Sequence, residues 1–160
     1  MKLVAFQALH FQTLINWIID EATMLNFAGV GFTYPLTKSQ LEQYIAKYPN
    51  RLIYLAVNDD LEPMAYGEII PQDADSARLG HLIIGKSGQR RKGLGQQLIR
   101  LLNEEAKTKL GIQKMELFLL RGNLQAEKCY LKYGFHFIEN DFQISHKGKA
   151  YEILKMSIDI

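Results

Sequence analysis

The stretch from Leu79 to Gly95, LGHLIIGKSGQRRKGLG, decides how this chain folds. Leu79 to Ile84 is a short apolar run of the kind that makes a buried strand, and Gly85 opens a segment of glycines and basic residues. Beyond it Leu94, Leu98, Leu101, Leu102, Ala106 and Leu110 recur at three- and four-residue spacing. That spacing marks the buried face of a long helix, and Gly111 suits the position just past its end. Met115 to Leu120 reads as the next strand, so the unit is strand, glycine turn, helix, strand, a crossover that forces local parallel pairing.

The flanks extend the same alternation. Leu3, Val4 and Phe6 open a strand, and Phe11, Leu14, Ile15 and Ile18 follow at helical spacing. Residues Asn26 to Pro35 hold Gly29, Gly31 and Pro35 among Phe27, Phe32 and Tyr34, which reads as an aromatic loop, a wall of an acceptor pocket or part of the core. Thr37 and Gln40 form a T-x-x-Q capping box with Leu36 and Leu41 at the staple positions. The helix it starts buries Leu41, Tyr44, Ile45 and Tyr48 and ends at Pro49. Leu52 to Val57 and Met64 to Ile70 flank the Asn58-Asp59-Asp60 turn and read as a hairpin. Leu124 to Tyr133 is a helix closed by Gly134, and Phe135 to Ile138 and Tyr151 to Ile158 are the last strands. The order β-α-α-β-β-β-α-β-α-β-β predicts one α/β (α+β mixed) domain over residues 1–160, a central mixed sheet with helices on its faces.

Composition excludes several classes. With 160 residues, 48% of them apolar and 22% charged, the chain is long enough for one core and far from disordered compositions. Nineteen Lys and Arg against 17 Asp and Glu leave +2, too balanced for a protein that coats nucleic acid or anionic lipid. One cysteine, Cys129, rules out an internal disulfide framework and fits a reducing, cytoplasmic setting. His10, His81, His136 and His146 are scattered, without metal-ligand spacing, so no metal is expected. No apolar stretch approaches the roughly 20 residues of a membrane helix, and Met1 to Leu9 lacks a leader's features, so no membrane partner is expected.

Arg90-Arg91-Lys92-Gly93-Leu94-Gly95 sits where the unpaired amides of a first helical turn and the positive end of the helix dipole point outward, a place for an anion. Gly93 and Gly95 leave no Cβ in the way of a diphosphate, and Arg90, Arg91 and Lys92 add charge. Read alone, the segment is equally a tight turn with a solvated basic face. Further on, Asn123 stands at a helix start, with Ala126 and Tyr130 four apart on one face. Ala126 leaves room for a ligand against the helix, and the Tyr130 phenol has a proton to give a departing thiolate. Alone, Asn123 is equally a cap and Tyr130 a core aromatic.

Strand, R-x-x-G-x-G, long helix, strand and N-x-x-A-x-x-x-Y-x-x-x-G-F together resemble the GNAT superfamily of acyl-CoA-dependent N-acetyltransferases. Arg90, Gly93 and Gly95 fill the first motif; Asn123, Ala126, Tyr130, Gly134 and Phe135 fill the second. The resemblance is clearest from about Met64 to Ile138. The Ile84-Gly85 junction and the Phe27 to Leu36 segment are similar to the ribosomal-protein and small-amine branch. Arg91 departs from the pattern, since members often carry Gly there. The resemblance implies a mostly antiparallel, twisted sheet of about seven strands with a splay between the fourth and fifth. It implies acetyl-CoA as co-substrate, with pantetheine along Ile83, Ile84 and Gly85, the diphosphate on Arg90 to Gly95 including Leu94, Asn123 and Ala126 beside the cofactor, and Tyr130 near the sulfur. A bulge near Gly85 would open that strand.

The expected reaction is acetyl transfer to a primary amine by direct attack in a ternary complex. An amine with a pKa of about 8 to 10.4 needs help to lose its proton. Glu68, after Gly67 on its strand, ranks slightly ahead of His81 as base. Cys129 has no histidine at a motif position near it and is rejected as nucleophile. The acceptor is a small amine, a protein N-terminus or a lysine, since loops rather than motifs select it. A non-catalytic acyl-CoA-binding or regulatory module on the same fold is the competing class. A nucleic-acid site at Lys86 and Arg90 to Lys92 is argued against by the charge balance, and exposed C-terminal strands leave a homodimer open.

Overall fold

The computed structural model of the chain describes residues 1–85 and 93–160. Their elements run β1 (Lys2–Ala5), α1 (Phe11–Trp17), α2 (Glu21–Ala28), α3 (Lys38–Lys47), β2 (Leu52–Val57), β3 (Pro63–Pro71), β4 (Ser76–Ile84), α4 (Leu94–Leu110), β5 (Lys114–Leu120), α5 (Leu124–Tyr133), β6 (His136–Ile138), β7 (Gln143–His146) and β8 (Lys149–Asp159). One sheet orders the strands β1-β2-β3-β4-β5-β8-β6, and β7 pairs with β8 beside it. Among the described strands only β4 and β5 pair in parallel. The mixed, mostly antiparallel sheet with helices on both faces is the architecture expected from the sequence.

Alternation along the strands builds two cores. Ala65, Ile69, Ala77, Leu79, Met115 and Leu117 face Leu98, Leu102 and Ala106 of α4. Leu55, Val57, Tyr66 and Ile83 face the other way, under Leu14, Met24, Phe27, Leu41 and Tyr44 of the first three helices. Helix α4 follows the periodicity of its leucines and closes at Gly111, whose left-handed φ of +67° lets its amide reach the Lys107 carbonyl at 2.9 Å.

The structure departs from the sequence reading at four places. The loop expected from Asn26 begins inside α2, where Asp20 caps the helix by accepting from the Thr23 amide at 2.7 Å and Met24 and Phe27 are buried. Gln40 does not complete a capping box. Thr37 Oγ1 accepts from the Gln40 amide at 3.2 Å, but the Gln40 side chain turns to Thr33 and Pro35, tying the aromatic segment to α3. The last strand starts at Lys149, two residues before the expected Tyr151. It folds back on β7 through Lys147 and Gly148, both at positive φ, as a two-residue hairpin turn of right-handed twist requires.

The fourth departure concerns the bulge, which lies not at Gly85 but several residues earlier. Tyr66 pairs with Ile83 while Glu68 pairs with Gly80, so β4 carries one extra residue at His81 and Leu82. His81 takes φ +50°, the left-handed region, and its ring turns to the same face as Glu68. The β4–β5 ladder also ends here, after Leu79 and Leu117. The two strands part beyond that point, as the expected splay requires.

Candidate active site

A cleft of about 570 Å³ opens where β4 leaves β5. Its floor is Leu82 to Ile84, one wall is Gly93 to Gln96 with Leu98 and Ile99 of α4, and a second is Asn123, Ala126, Cys129 and Tyr130 of α5. Thr23, Asn26 and Phe27 of α2 make a third wall, which the loop reading of that segment hid. Of the residues singled out from sequence, Ile83, Ile84, Gly93, Leu94, Gly95, Asn123, Ala126 and Tyr130 thus meet around one space. Arg90, Arg91 and Lys92 lie outside the described residues. Gly85 is buried beside the floor, and Glu68 does not line the cleft.

The cleft suits a long anionic ligand. Gly93 starts α4 at φ +75° with no side-chain cap, and the amides of Leu94, Gly95 and Gln96 have no acceptor among the described residues. A Cβ on Gly93 would meet nothing within 4 Å, so the space before the helix is open. A Cβ on Gly95 would lie 2.9 Å from Cys129 Sγ, so α4 and α5 approach each other only because Gly95 has no side chain. Gln96 Nε2 fastens the same contact by donating to the Cys129 carbonyl at 2.6 Å. Asn123 Oδ1 accepts from the Ala126 amide at 3.3 Å, so its oxygen is spent as a cap and its Nδ2 is the group left to donate.

Tyr130 stands on Phe135, ring centroids 5.9 Å apart and edge to face. Burial, with the neighbouring Cys129, pushes its phenol well above the usual range, so it is protonated throughout neutral pH. Its hydroxyl has no hydrogen-bond partner among the described residues and is available as a donor. Burial likewise pushes the Cys129 thiol up, away from nucleophilic thiolate.

Glu68 is 0% exposed and occupies the face opposite α4. Tyr44 Oη donates to its Oε2 and Tyr66 Oη to its Oε1, each at 2.6 Å. His81 Nδ1 lies 2.8 Å from Oε1, and Arg51 approaches Oε2 at 3.6 Å while also bonding the Tyr44 hydroxyl. Burial by itself would raise the Glu68 carboxyl, but the His81 ring and the hydrogen bonds from His81, Tyr44 and Tyr66 together hold it below its ordinary value. An ionised carboxylate only accepts, so His81 Nδ1 is the nitrogen that donates to Glu68 and Nε2 is the ring nitrogen left to exchange a proton. That Nε2 lies 3.8 Å from where a Cβ on Gly31 would stand, and the ring lies between Phe27, Phe32 and Tyr44 at 5.3, 5.7 and 5.5 Å. None of this assembly showed in the sequence beyond its two candidates, because Tyr44, Arg51 and Tyr66 carry no motif.

The sequence matches the acetyltransferase (GNAT) family over residues 12–135. The chain belongs to that family. Among solved structures, this GNAT chain resembles spermidine N-acetyltransferase from Vibrio cholerae in complex with CoA and spermine. The TM-score is 0.81 at 17% identity over 99% of this chain and 94% of that one. It also resembles the aminoglycoside acetyltransferase AAC(6')-Ib in complex with coenzyme A, with TM-score 0.76 at 19% identity over 99% and 94%. At these identities the likeness is one of fold. The GNAT chain is an acyltransferase by family, and no helix among its described residues is long and apolar enough to cross a membrane.

Gly85 gives a direct test of how the cleft floor is held. A Cβ there would come within 2.5 Å of the Trp17 ring, a rigid side chain. Gly85→Ala is therefore expected to displace α1 from the end of β4 and destabilise the GNAT chain by about 2 kcal/mol, a Tm fall of roughly 4–8 °C in thermal unfolding. An unchanged Tm would mean the indole moves aside freely.

Proposed function

We propose that this chain transfers the acetyl group of acetyl-CoA to a primary amine by direct attack in a ternary complex. The observation that carries the reading is the convergence of Gly93 to Gly95, Asn123, Ala126 and Tyr130 on the place where β4 and β5 part. The α4 amides after Gly93, with Arg90, Arg91 and Lys92, hold the diphosphate, and the backbone of Ile83, Ile84 and Gly85 lines the pantetheine. Acetyl-CoA supplies a thioester carbonyl to be attacked and a thiol to leave. His81 Nε2, which does not itself line the cleft, takes the proton of the acceptor amine through a water relay. Glu68 acts through His81, fixing its tautomer and stabilising the charged ring once it is protonated. A β4 amide donates to the developing oxyanion, and Tyr130 gives its proton to the departing sulfur.

The sequence ranked Glu68 ahead of His81 as base. The roles are assigned the other way because every Glu68 oxygen already has a donor, whereas His81 Nε2 has none among the described residues. A small amine is the favoured acceptor, since the aromatic segment from Phe27 to Tyr34 closes over His81. The 160 residues work as one domain, and a lone half-buried Cys129 fits the cytoplasm.

Calorimetric titration with acetyl-CoA tests the reading. Stoichiometric micromolar binding is expected, weakened about tenfold or more by Gly93→Val, since a β-branched residue cannot hold a left-handed φ without strain. No binding to the unmodified protein would overturn the reading. Binding without thiol release in the presence of any amine would make the chain an acyl-CoA-binding module instead.

A further inference from the structure

Arg78 lies on β4 two residues before Gly80, at the last stretch where β4 and β5 are still paired. Sheet register puts it directly opposite Glu116, the obvious carboxylate partner. That partner is taken: Glu116 Oε2 pairs with Lys155 Nζ at 2.9 Å, and both are largely covered. Among the described residues no carboxylate comes within 4.0 Å of Arg78. Its guanidinium instead lies 5.0 Å over the ring of Phe118, the first β5 residue beyond the end of the ladder. The head group thus lies over β5, on the sheet face that Glu68 and Gly80 share.

Charge on that face does not close. Arg51, Arg78 and Lys155 bring three positive charges against the two negative ones of Glu68 and Glu116, so one positive charge is left over before His81 is counted. Glu68 holds Arg51 and Glu116 holds Lys155, which leaves Arg78 as the surplus cation. Burial, and then the nearby Arg51, push its pKa down, an effect that Tyr44, Glu68 and Glu116 offset only in part. A half-buried guanidinium without a carboxylate is costly unless an anion completes it, and its planar fork fits a carboxylate with two hydrogen bonds.

We propose that Arg78 binds a carboxylate of the acceptor, so that the substrate is an amine bearing one anionic group rather than a polycation. The inference rests on the acetyltransferase reading and on His81 as base. Three residue steps along β4 take the chain from Arg78 to His81, at most about 10 Å of backbone, so the amine served by His81 and the carboxylate at Arg78 belong to one small molecule or chain end.

The experiment is acetyl-CoA-dependent thiol release with ω-amino acids from glycine to aminohexanoate, beside alkylamines and diamines of matching length. At the best length, kcat/KM is expected to favour the amino acid over the alkylamine by about tenfold or more, the size of one charge-assisted hydrogen bond, with the diamine lowest. Arg78→Met keeps the apolar cover on Phe118, and it should bring the amino acid to alkylamine ratio close to one. Arg78→Lys, which retains charge without the fork, should give an intermediate ratio. An amino acid no better than its alkylamine, or a preference that survives Arg78→Met, would overturn the assignment. If no amine releases thiol, the transferase reading fails by itself. Arg78 is then judged by calorimetry of the same amino acids on the CoA-loaded protein, where equal binding by the unmodified and Arg78→Met chains would sink it.

Discussion

Tyr130→Phe is expected to lower kcat by about two orders of magnitude, the usual range for losing a positioned general acid, while acetyl-CoA affinity changes little. The ring keeps its edge contact with Phe135, so only the hydroxyl is lost. A phenol pushed up by burial is a weak acid, and a thiol has a pKa of about 8.5, so in water the proton would not pass to the thiolate unaided. Burial of the leaving sulfur in the same cleft would raise its proton affinity as well and narrow that gap. A sharper test follows from that balance. With the acetyl thioester of a more acidic thiol, the leaving group needs less help, and the deficit of the variant should shrink. A deficit independent of the leaving thiol, or full turnover with acetyl-CoA, would remove the proton-donor role.

Glu68→Gln should damage both stability and rate. The substitution keeps the shape but leaves Arg51 without its carboxylate and points an amide N–H at groups that are themselves donors. Breaking a buried ion pair from one side costs about 3 kcal/mol or more, which for a chain of this size lowers Tm by roughly 6–12 °C. Because the Glu68 carboxyl is held below its ordinary value in the fold, its contribution is complete above about pH 4.3 and is lost as pH falls through the lower folded value. The stability gap between the two chains should therefore be widest at neutral pH and narrow on acidification below about pH 4. The rate separates positioning from bulk. If Glu68 works through His81, the variant's pH-rate profile should shift on its acidic limb, with kcat falling more than KM rises. An unchanged profile in a variant that remains folded would leave Glu68 a purely structural anion. A Tm within about 1 °C of the unmodified chain would contradict the burial argument itself.

What was legible in the amino-acid order was whatever depends on neighbours close along the chain. The leucine stripe of α4, the Thr37 cap, the glycines at Gly93 and Gly111 and the face shared by Ala126 and Tyr130 all follow from spacings of a few residues, because helical hydrogen bonds and side-chain rows repeat over that range. The family follows from the same local order, since its cofactor-side motifs are two short strings at helix starts. The α2 helix escaped because Gly29, Gly31 and Pro35 dominate the stretch just beyond it. The last hairpin escaped because Lys147-Gly148 is a weaker turn signal than Asn-Gly.

The Glu68–His81 assembly was decided by tertiary structure. Glu68 finds Tyr44 24 positions away and His81 13 positions away, and it meets them only through the β3–β4 register and the packing of α3. One extra residue in β4 turns the His81 ring to that face, and a strand's period of two means that a shift of one residue would have sent it to the opposite face. Whether Glu116 pairs with Arg78 or with Lys155 is likewise a matter of side-chain geometry across three strands. Backbone propensity and periodicity thus determined the cofactor half, where a turn and a helix start suffice. Electrostatics between residues far apart in the chain determined the half proposed to select and deprotonate the amine, because charges in a low-dielectric interior must be paired in space regardless of sequence distance.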